Sequence, residues 1–142
     1  MIISSEKEME KLGLSFATKV VNGGVVCLYG ELGSGKTTFA KALAKGLGFT
    51  GRVISPTFLI MRTYELKKNK LGKFYHLDFY RTEDEKALKN LGIEELFANT
   101  HNIVVIEWAE KAKNLLPKKR FDLHFTYCNQ TQRNIEIKKV GK

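Results

Sequence analysis

Near residue 30, a glycine-rich segment ends in a lysine and a hydroxyl side chain. It matches the pattern G-x-x-x-x-G-K-[ST] at every defined position, as Gly30-Glu31-Leu32-Gly33-Ser34-Gly35-Lys36-Thr37. Glycines at this spacing let successive backbone N–H groups curve around an anion, while the side chains of Glu31 and Ser34 are expected to take no part. The lysine of such a loop reaches the β- and γ-phosphates of a nucleotide, and the hydroxyl binds Mg²⁺. The segment therefore predicts a magnesium–nucleotide site formed by Glu31, Gly33, Ser34, Gly35, Lys36 and Thr37.

A site of this kind also needs a carboxylate at the end of a nearby strand, where it holds the magnesium ion or its water. Two acids follow strand-like runs, Asp78 after residues 74–77 and Glu107 after the apolar residues 103–106. A carboxylate at the end of a buried strand is costly unless it is paired or bound to a metal. We therefore predict Lys36, Asp78 and Glu107 as catalytic residues, and Thr37, Asp78 and Glu107 as metal ligands. The spacing leaves open which acid contacts the ion directly, and a solvated acid is the alternative interpretation for each.

Other residues near the glycine-rich segment and the two acids carry weaker signals. Thr57, in Ser55-Pro56-Thr57, follows the loop helix at the position where a hydroxyl of P-loop switches senses the γ-phosphate. An ordinary turn beside a proline explains the same residues equally well. Trp108 directly follows Glu107, and an aromatic residue there is more often part of a core than of a site. The histidines have no metal-ligand spacing, so no role is predicted for them: His76, His101 and His124.

The order of elements predicts the fold class. An apolar strand at 25–29 precedes the loop, and a helix at 36–47 follows it. The flanking elements are a helix capped by Ser5 and Glu8, a hairpin of 59–66 and 71–80 with its turn at 67–70, a helix opened by Thr82-x-x-Glu85, a strand at 103–106, a helix at 109–116 and an antiparallel pair at 121–127 and 134–140. We expect one domain over residues 1–142, an α/β three-layer P-loop NTPase sandwich with central parallel strands and antiparallel strands at the edge.

The charge is unevenly distributed along the 142 residues, whose net charge is +9. Residues 52–73 and 111–142 are basic, with net charges of +5 and +7, whereas residues 74–110 carry a net charge of −5. The basic blocks favour a polyanion or an acidic partner protein, although a lysine-rich solvated surface is equally open. No secretory leader is visible, and no apolar run approaches the roughly 18 residues of a membrane-spanning helix. We therefore expect a cytoplasmic protein that does not bind a membrane.

Four blocks, in this order along the chain, resemble those of the bacterial TsaE family, also called YjeE. They are the glycine-rich loop extended to Thr38, then Ser55-Pro56-Thr57-Phe58, His76-Leu77-Asp78-Phe79-Tyr80-Arg81 and Val105-Ile106-Glu107-Trp108. The resemblance implies an ATPase that uses ATP and Mg²⁺ and is needed for threonylcarbamoyladenosine next to the anticodon of tRNA. It also implies that hydrolysis resets a complex with the transferase TsaD and its companion TsaB, so that tRNA is met at least through that complex.

The same resemblance assigns roles by position. Beyond the loop lysine and the two acids, it implies that Thr38 supports the phosphates, that Thr57 belongs to a switch-like loop and that Trp108 flanks the site. It places adenine between the start of the first helix, near Ser5, and the C-terminal turn, near Thr131. The absence of an N-K-x-D guanine signature agrees with adenine or with an unselected base.

Two other function classes remain open in the sequence. One is a nucleotide-gated assembly module in which binding matters and hydrolysis is incidental. The other is a small-molecule P-loop kinase, which the lack of an arginine cluster after Phe58 disfavours. If the chain is an ATPase, we expect slow hydrolysis alone and faster hydrolysis with partners, because no sequence rule places one of its arginines at the γ-phosphate.

Overall fold

The computed structural model of the protein describes residues 1–31, 33–49, 61–64, 72–80 and 85–141. The helices are α1 (Glu6–Val20), α2 (Lys36–Gly46), α3 (Glu85–Asn90) and α4 (Ile93–Ala98), together with a 3-10 segment, Ala109–Leu115. None of the described helices is long and apolar enough to cross a membrane. The strands are β1 (Ile2–Ile3), β2 (Gly24–Tyr29), β3 (Met61–Tyr64), β4 (Phe74–Asp78), β5 (Ile103–Glu107), β6 (Arg120–Tyr127) and β7 (Arg133–Val140). Three predictions lie outside the described residues: the switch-like loop with Thr57, the turn at 67–70 and the helix cap at Thr82.

Within the described residues, the strands form one sheet in the order β1-β7-β6-β2-β5-β4-β3. The central strands β6, β2, β5 and β4 run parallel to one another. At one edge β3 pairs with β4 in the antiparallel sense, and at the other β7 pairs with β6 and β1 pairs with β7 in the same way. The predicted sheet, parallel at its centre and antiparallel at its edges, is confirmed.

Successive side chains of the central strands point to opposite faces of the sheet, so they pack into two separate cores. Leu28 and Val105 pack on one face with side chains of α1 and α2, such as Phe16. Cys27 and Ile106 pack on the other face with side chains of α3, α4 and the 3-10 segment. Because both faces of the parallel strands are covered, these strands are apolar on both sides, as their short unbroken hydrophobic runs indicate.

The first helix begins at the cap that the sequence predicts. Ser5 Oγ accepts a hydrogen bond of 3.1 Å from the backbone N–H of Glu8, and a carboxylate oxygen of Glu8 accepts one of 2.9 Å from the N–H of Ser4. These bonds satisfy donors that have no partner within a helix. The buried face of α1 recurs at helical spacing and consists of Met9, Gly13, Phe16, Ala17 and Val20.

Two local features differ from the sequence predictions. Ile2–Ile3 forms a strand opposite Asn134 and Arg133, and two residues are too few to show a period. Residues 109–116 were expected to be helical, and Ala109–Leu115 instead forms 3-10 turns interrupted at Ala112, with φ −123° and ψ 27°. Short 3-10 turns commonly serve as connectors, and here they link β5 to β6.

Helices α1 and α2 meet at small residues. A Cβ added to Gly13 would lie 2.6 Å from the Cβ of Ala42 and 2.8 Å from the carbonyl oxygen of Phe39. A Cβ added to Gly46 would lie 2.8 Å from the Cβ of Ala17. These distances are below van der Waals contact, so the crossing requires glycine at both positions. Because α2 begins at the glycine-rich loop, this crossing also positions that loop against α1.

Replacing Gly13 by Leu should destabilise the protein by about 2–3 kcal/mol, because the added side chain forces the two helices apart. The free energy of unfolding from urea titration measures the effect. The matched control is Ser15→Leu, which adds the same side chain on the exposed face of α1 and should change stability by no more than about 0.5 kcal/mol. Equal effects of the two substitutions would contradict the close helix crossing.

Candidate functional site

The loop between β2 and α2 has a backbone conformation that glycine adopts readily. The φ angles of Gly30, Gly33 and Gly35 are 144°, 78° and 99°. Residues with a Cβ rarely adopt positive φ, so glycines at these positions allow the tight path of the loop. Gly35 is the N-cap of α2, and Lys36 and Thr37 therefore lie in the first helical turn, whose N–H groups lack intrahelical partners. Those N–H groups and the helix dipole favour an anion at this position.

Lys36 is folded into the site and is only 4% exposed. Its Nζ donates a hydrogen bond to the carbonyl oxygen of Gly30 and lies 4.0 Å from the centroid of the Trp108 ring. Burial lowers the pKa of Lys36, while nearby negative charges, that of Glu107 foremost, act in the opposite direction. An ammonium group has three N–H donors, so a bound phosphate could be reached with little rearrangement of these contacts.

Glu107 ends β5 and is buried, with both carboxylate oxygens in contact with other side chains. Oε1 accepts a hydrogen bond of 3.2 Å from the hydroxyl of Thr37, and Oε2 lies 2.6 Å from Nε2 of His76. In the parallel register, Glu107 is opposite Leu28 of β2 and Asp78 of β4. The carboxyl ends of three parallel strands thus bring together the loop and both predicted acids.

Asp78 is half-buried at the end of β4, and its Oδ1 accepts a hydrogen bond of 3.0 Å from the N–H of Tyr80. Burial raises the pKa of the Asp78 carboxyl, and the negative charge of Glu107 adds to this shift. The hydrogen bond from Tyr80 and the positive charge of Lys36 oppose it. The net effect disfavours the ionised form of Asp78 in the absence of a bound cation.

The oxygens at this end of the sheet fit a magnesium ion that arrives with phosphates. The Thr37 hydroxyl and the Glu107 carboxylate are adjacent hard oxygen ligands. Within the described ranges, no three His, Cys, Asp or Glu side chains gather closely enough to hold a metal ion by themselves. Magnesium usually keeps several waters and takes one or two carboxylates together with substrate phosphates, so this sparse ligand set suits it.

Trp108 directly follows β5, and its backbone has the left-handed conformation, with φ 59° and ψ 43°. Such a backbone costs on the order of 1–3 kcal/mol for a residue other than glycine, and it persists only where its surroundings enforce it. The Trp108 ring lies 5.0 Å from the Tyr80 ring, in addition to its contact with Lys36. The strained turn therefore holds an aromatic face against the loop lysine.

A cleft of about 640 Å³ lies next to the glycine-rich loop. Its walls include most of the residues predicted for the site, namely Ser5, Gly33, Ser34, Gly35, Lys36, Thr37, Thr38, Glu107 and Thr131. Residues from opposite ends of the chain thus share one cleft with the loop. Of the predicted site residues that the structure describes, three stand outside these walls: Glu31, Asp78 and Trp108.

Sequence analysis missed two residues of this region. His76 is fully buried against Glu107. Its sequence signals are its place at the start of the block that contains Asp78 and its position two residues before that acid, on the same face of β4. Arg133 lines the cleft and donates from Nε to the carbonyl oxygen of Gly33 at 3.1 Å. Its Nη1 donates to the carbonyl oxygens of Asn129 and Gln132 at 2.6 and 3.0 Å. No sequence signal links Arg133 to a loop about one hundred residues away.

Comparisons with known proteins agree with the geometry. The family model described as "Threonylcarbamoyl adenosine biosynthesis protein TsaE" matches residues 3–135. A tRNA threonylcarbamoyladenosine biosynthesis protein TsaE from Bacillus subtilis is 38% identical over 135 residues, which cover 95% of this chain and 80% of that protein. A protein of the same name from Haemophilus influenzae is 40% identical over 114 residues, covering 80% and 68%. The crystal structure of Bacillus subtilis YdiB matches with a TM-score of 0.80 at 28% identity, covering 99% of this chain and 84% of that one.

Replacing Asp78 by Asn should stabilise the protein near neutral pH when no nucleotide or metal is present. Because burial raises the folded-state pKa of this carboxyl above its unfolded value, its stabilising contribution is present at acid pH and is lost as the pH rises through the folded-state pKa. Asn carries no charge and keeps an oxygen that can accept from Tyr80. The Tm of the variant should exceed that of the wild type by about one to two degrees near pH 7 and by less near pH 4.

The control for this comparison is Glu136→Gln, which removes an exposed carboxylate from β7. It measures the general effect of raising the net charge of an already basic protein. A pH-independent difference between Asp78→Asn and the wild type would contradict the proposed cause.

Proposed function

Because this chain belongs to the TsaE family of threonylcarbamoyl adenosine biosynthesis proteins, we propose that it binds ATP with Mg²⁺ in the cleft beside the glycine-rich loop and hydrolyses the ATP. The hydrolysis serves the formation of threonylcarbamoyladenosine in tRNA. The protein acts there in a complex with the transferase TsaD and its companion TsaB, and it meets tRNA through that complex.

The observation that carries this proposal is the convergence of Lys36, Thr37 and Glu107 at the start of α2. A buried ammonium group, a hydroxyl and a carboxylate lie around a loop whose glycines allow backbone N–H groups to approach phosphate oxygens. This is the set of groups that phosphoryl transfer on a P-loop requires, since catalysis there consists of positioning and charge stabilisation.

Each residue of this site has a separate role. Thr37 and Glu107 are the residues that would hold Mg²⁺, which when bound would neutralise charge on the β- and γ-phosphates. Lys36 binds those phosphates through the N–H donors that its contact with the Gly30 carbonyl oxygen leaves free. Asp78, opposite Glu107 in the register, orients a water, and its raised pKa brings the carboxylate closer to the range useful for taking a proton.

The nucleobase side of the cleft is formed by the two ends of the chain. Ser5 and Thr131 line it. On the side of the glycine-rich loop, the buried hydroxyl of Ser34 has no hydrogen-bond partner among the described residues. A buried polar atom without a partner is costly, so this hydroxyl favours a ligand in the cleft. We propose adenine as the base, with Thr38 at the phosphates and Trp108 flanking them, and Thr57 as a sensor of the γ-phosphate.

Hydrolysis by the isolated protein should be slow. Arg133 lines the cleft, and three of its N–H groups already donate to backbone carbonyl oxygens, so turning it towards the γ-phosphate would cost these bonds. An arginine from a partner could add a factor of about 10³–10⁵ to the rate. The basic residues of 111–142 are the proposed docking surface for an acidic partner face or for tRNA phosphates.

The hydrogen bonds of Arg133 to the loop and to the β6–β7 turn favour a second candidate function. Since Arg133 ties the β6–β7 turn to the loop at Gly33, a nucleotide in the cleft would change how that turn is held. The protein would then act as a nucleotide-gated assembly module in which binding, and not hydrolysis, regulates the complex.

Replacing Lys36 by Ala should lower the ATPase rate at least a hundredfold, a loss of about 2.7 kcal/mol in transition-state stabilisation. The cause is the removal of the charge that faces the transferred phosphoryl group. The measurement is steady-state ATP hydrolysis with TsaD and TsaB present. The matched control is Lys41→Ala, which removes an exposed lysine from the same helix and should leave the rate unchanged. Wild-type hydrolysis by Lys36→Ala would refute the assignment of the loop.

Replacing Glu107 by Gln should separate the two candidate functions. The variant keeps the shape of the side chain but loses the charge next to Thr37, so it should retain ATP binding better than hydrolysis. Both activities are measured together with modification of tRNA in a reconstituted mixture with TsaD and TsaB. Multiple-turnover modification should fall with the ATPase rate. Full modification without hydrolysis would instead support the gated module, and Glu94→Gln, an exposed change in α4, serves as control.

A further inference from the structure

The buried histidine of β4 contacts the oxygen of Glu107 that points away from the loop. His76 Nε2 lies 2.6 Å from Oε2, whereas Thr37 Oγ1 lies 3.2 Å from Oε1. With Glu107 ionised, its carboxylate can only accept a hydrogen bond, so we assign the imidazole proton to Nε2, whose N–H donates to Oε2. The two contacts together define the plane in which the Glu107 carboxylate lies.

Apart from Glu107, no described neighbour of His76 forms a hydrogen bond with its imidazole. Its side chain is fully buried, on the face of β4 that also carries Phe74 and Asp78. Among the described residues, Nδ1 has no hydrogen-bond partner. An apolar side chain of similar size would fill this space and leave no unpaired Nδ1, but it would take the donor away from the buried Oε2 of Glu107. The contact with Glu107 is therefore what the imidazole adds over an apolar residue.

The orientation of Glu107 matters because Lys36 lies nearby. The charges of the two residues interact, yet no ion pair within 4.0 Å joins them in the described part of the chain. A Glu107 side chain free to rotate would be drawn to the ammonium group, and a direct ion pair would occupy both groups that a magnesium–nucleotide complex needs. The bond from His76 to Oε2 opposes that rotation and keeps Oε1 beside Thr37.

We propose that His76 is a positioning residue that fixes the Glu107 carboxylate so that Oε1 and the Thr37 hydroxyl together face the metal ion. The inference rests on the proposed nucleotide site and assigns to it a residue that acts only through Glu107. Hydrogen-bonding partners behind a metal ligand commonly change metal affinity by 10–100-fold when they are removed. The loss of His76 is therefore expected to affect metal binding and not the nucleotide itself.

Three substitutions separate this role from packing. His76→Gln places an N–H donor as many bonds from Cβ as the imidazole Nε2, and His76→Asn places one a bond shorter, at the reach of Nδ1. His76→Met fills a similar volume and has no donor. The probes are ADP without divalent cation, whose affinity is measured by calorimetry, and Mn²⁺ in the presence of saturating ADP, whose affinity is measured by electron paramagnetic resonance.

All three variants should bind metal-free ADP within about twofold of the wild type. Affinity for Mn²⁺ should fall about tenfold or more in His76→Met and His76→Asn, and His76→Gln should recover most of it. Wild-type Mn²⁺ affinity in His76→Met would overturn the proposal. So would an equal loss in all three variants that includes ADP binding, because that pattern marks a packing role. Failure of the wild type to bind ADP at all would refute the nucleotide site and the inference together, before any variant is compared.

A measurement on the wild type keeps the proposal testable if a variant does not fold. Nitrogen-15 chemical shifts of the His76 ring report which nitrogen carries the proton. The proposal requires the Nε2–H tautomer in the ligand-free protein and a shift of that resonance when Mg²⁺ is added to the ADP complex. An Nδ1–H tautomer, or no response to Mg²⁺, would overturn it.

Discussion

The arrangement of the site depends on one carboxylate that is buried at the end of a parallel strand. Glu107 is 3% exposed, and a charge so placed costs several kcal/mol unless other groups compensate it. Its compensation comes from two different elements, the Thr37 hydroxyl on α2 and the His76 ring on β4. These bonds hold only while β4 and β5 keep their register and α2 keeps its distance from the sheet. The buried charge therefore couples the glycine-rich loop to the core of the protein.

One side of the cleft is supported by the centre of the sheet, and the other lies at its antiparallel edge. The side with the glycine-rich loop rests on the ends of the central strands and on α2, which α1 holds by the close crossing at Gly13 and Gly46. The other side consists of the start of α1 and the β6–β7 turn, at the antiparallel edge of the sheet. Arg133 links the two sides, because its guanidinium joins the turn to the carbonyl oxygen of Gly33. This link gives a physical route by which a nucleotide could influence the edge of the sheet.

The electrostatics of the site explain why a cation should accompany an anionic ligand. The protein as a whole is strongly basic, but one buried lysine stands among several acids at the loop. Burial of the carboxyl is the main cause of the raised pKa of Asp78, and the negative charge of Glu107 adds to it. A triphosphate would add to that negative charge, so a divalent cation lowers the free energy of the whole assembly. The proposed dependence on Mg²⁺ follows from this balance.

The sequence by itself determined the fold class, the glycine-rich loop and the two acids at strand ends, because these features are local. A period of two or 3.6 residues, a run of glycines or an acid after an apolar strand can be recognised within a short window, and α1 with its cap at Ser5 illustrates this. Only the tertiary structure decided that Asp78 and Glu107 are register partners, that His76 holds Glu107 and that Arg133 reaches Gly33. These contacts join residues 29 to 100 positions apart, and such pairings depend on strand order and helix packing, which no short stretch of sequence encodes.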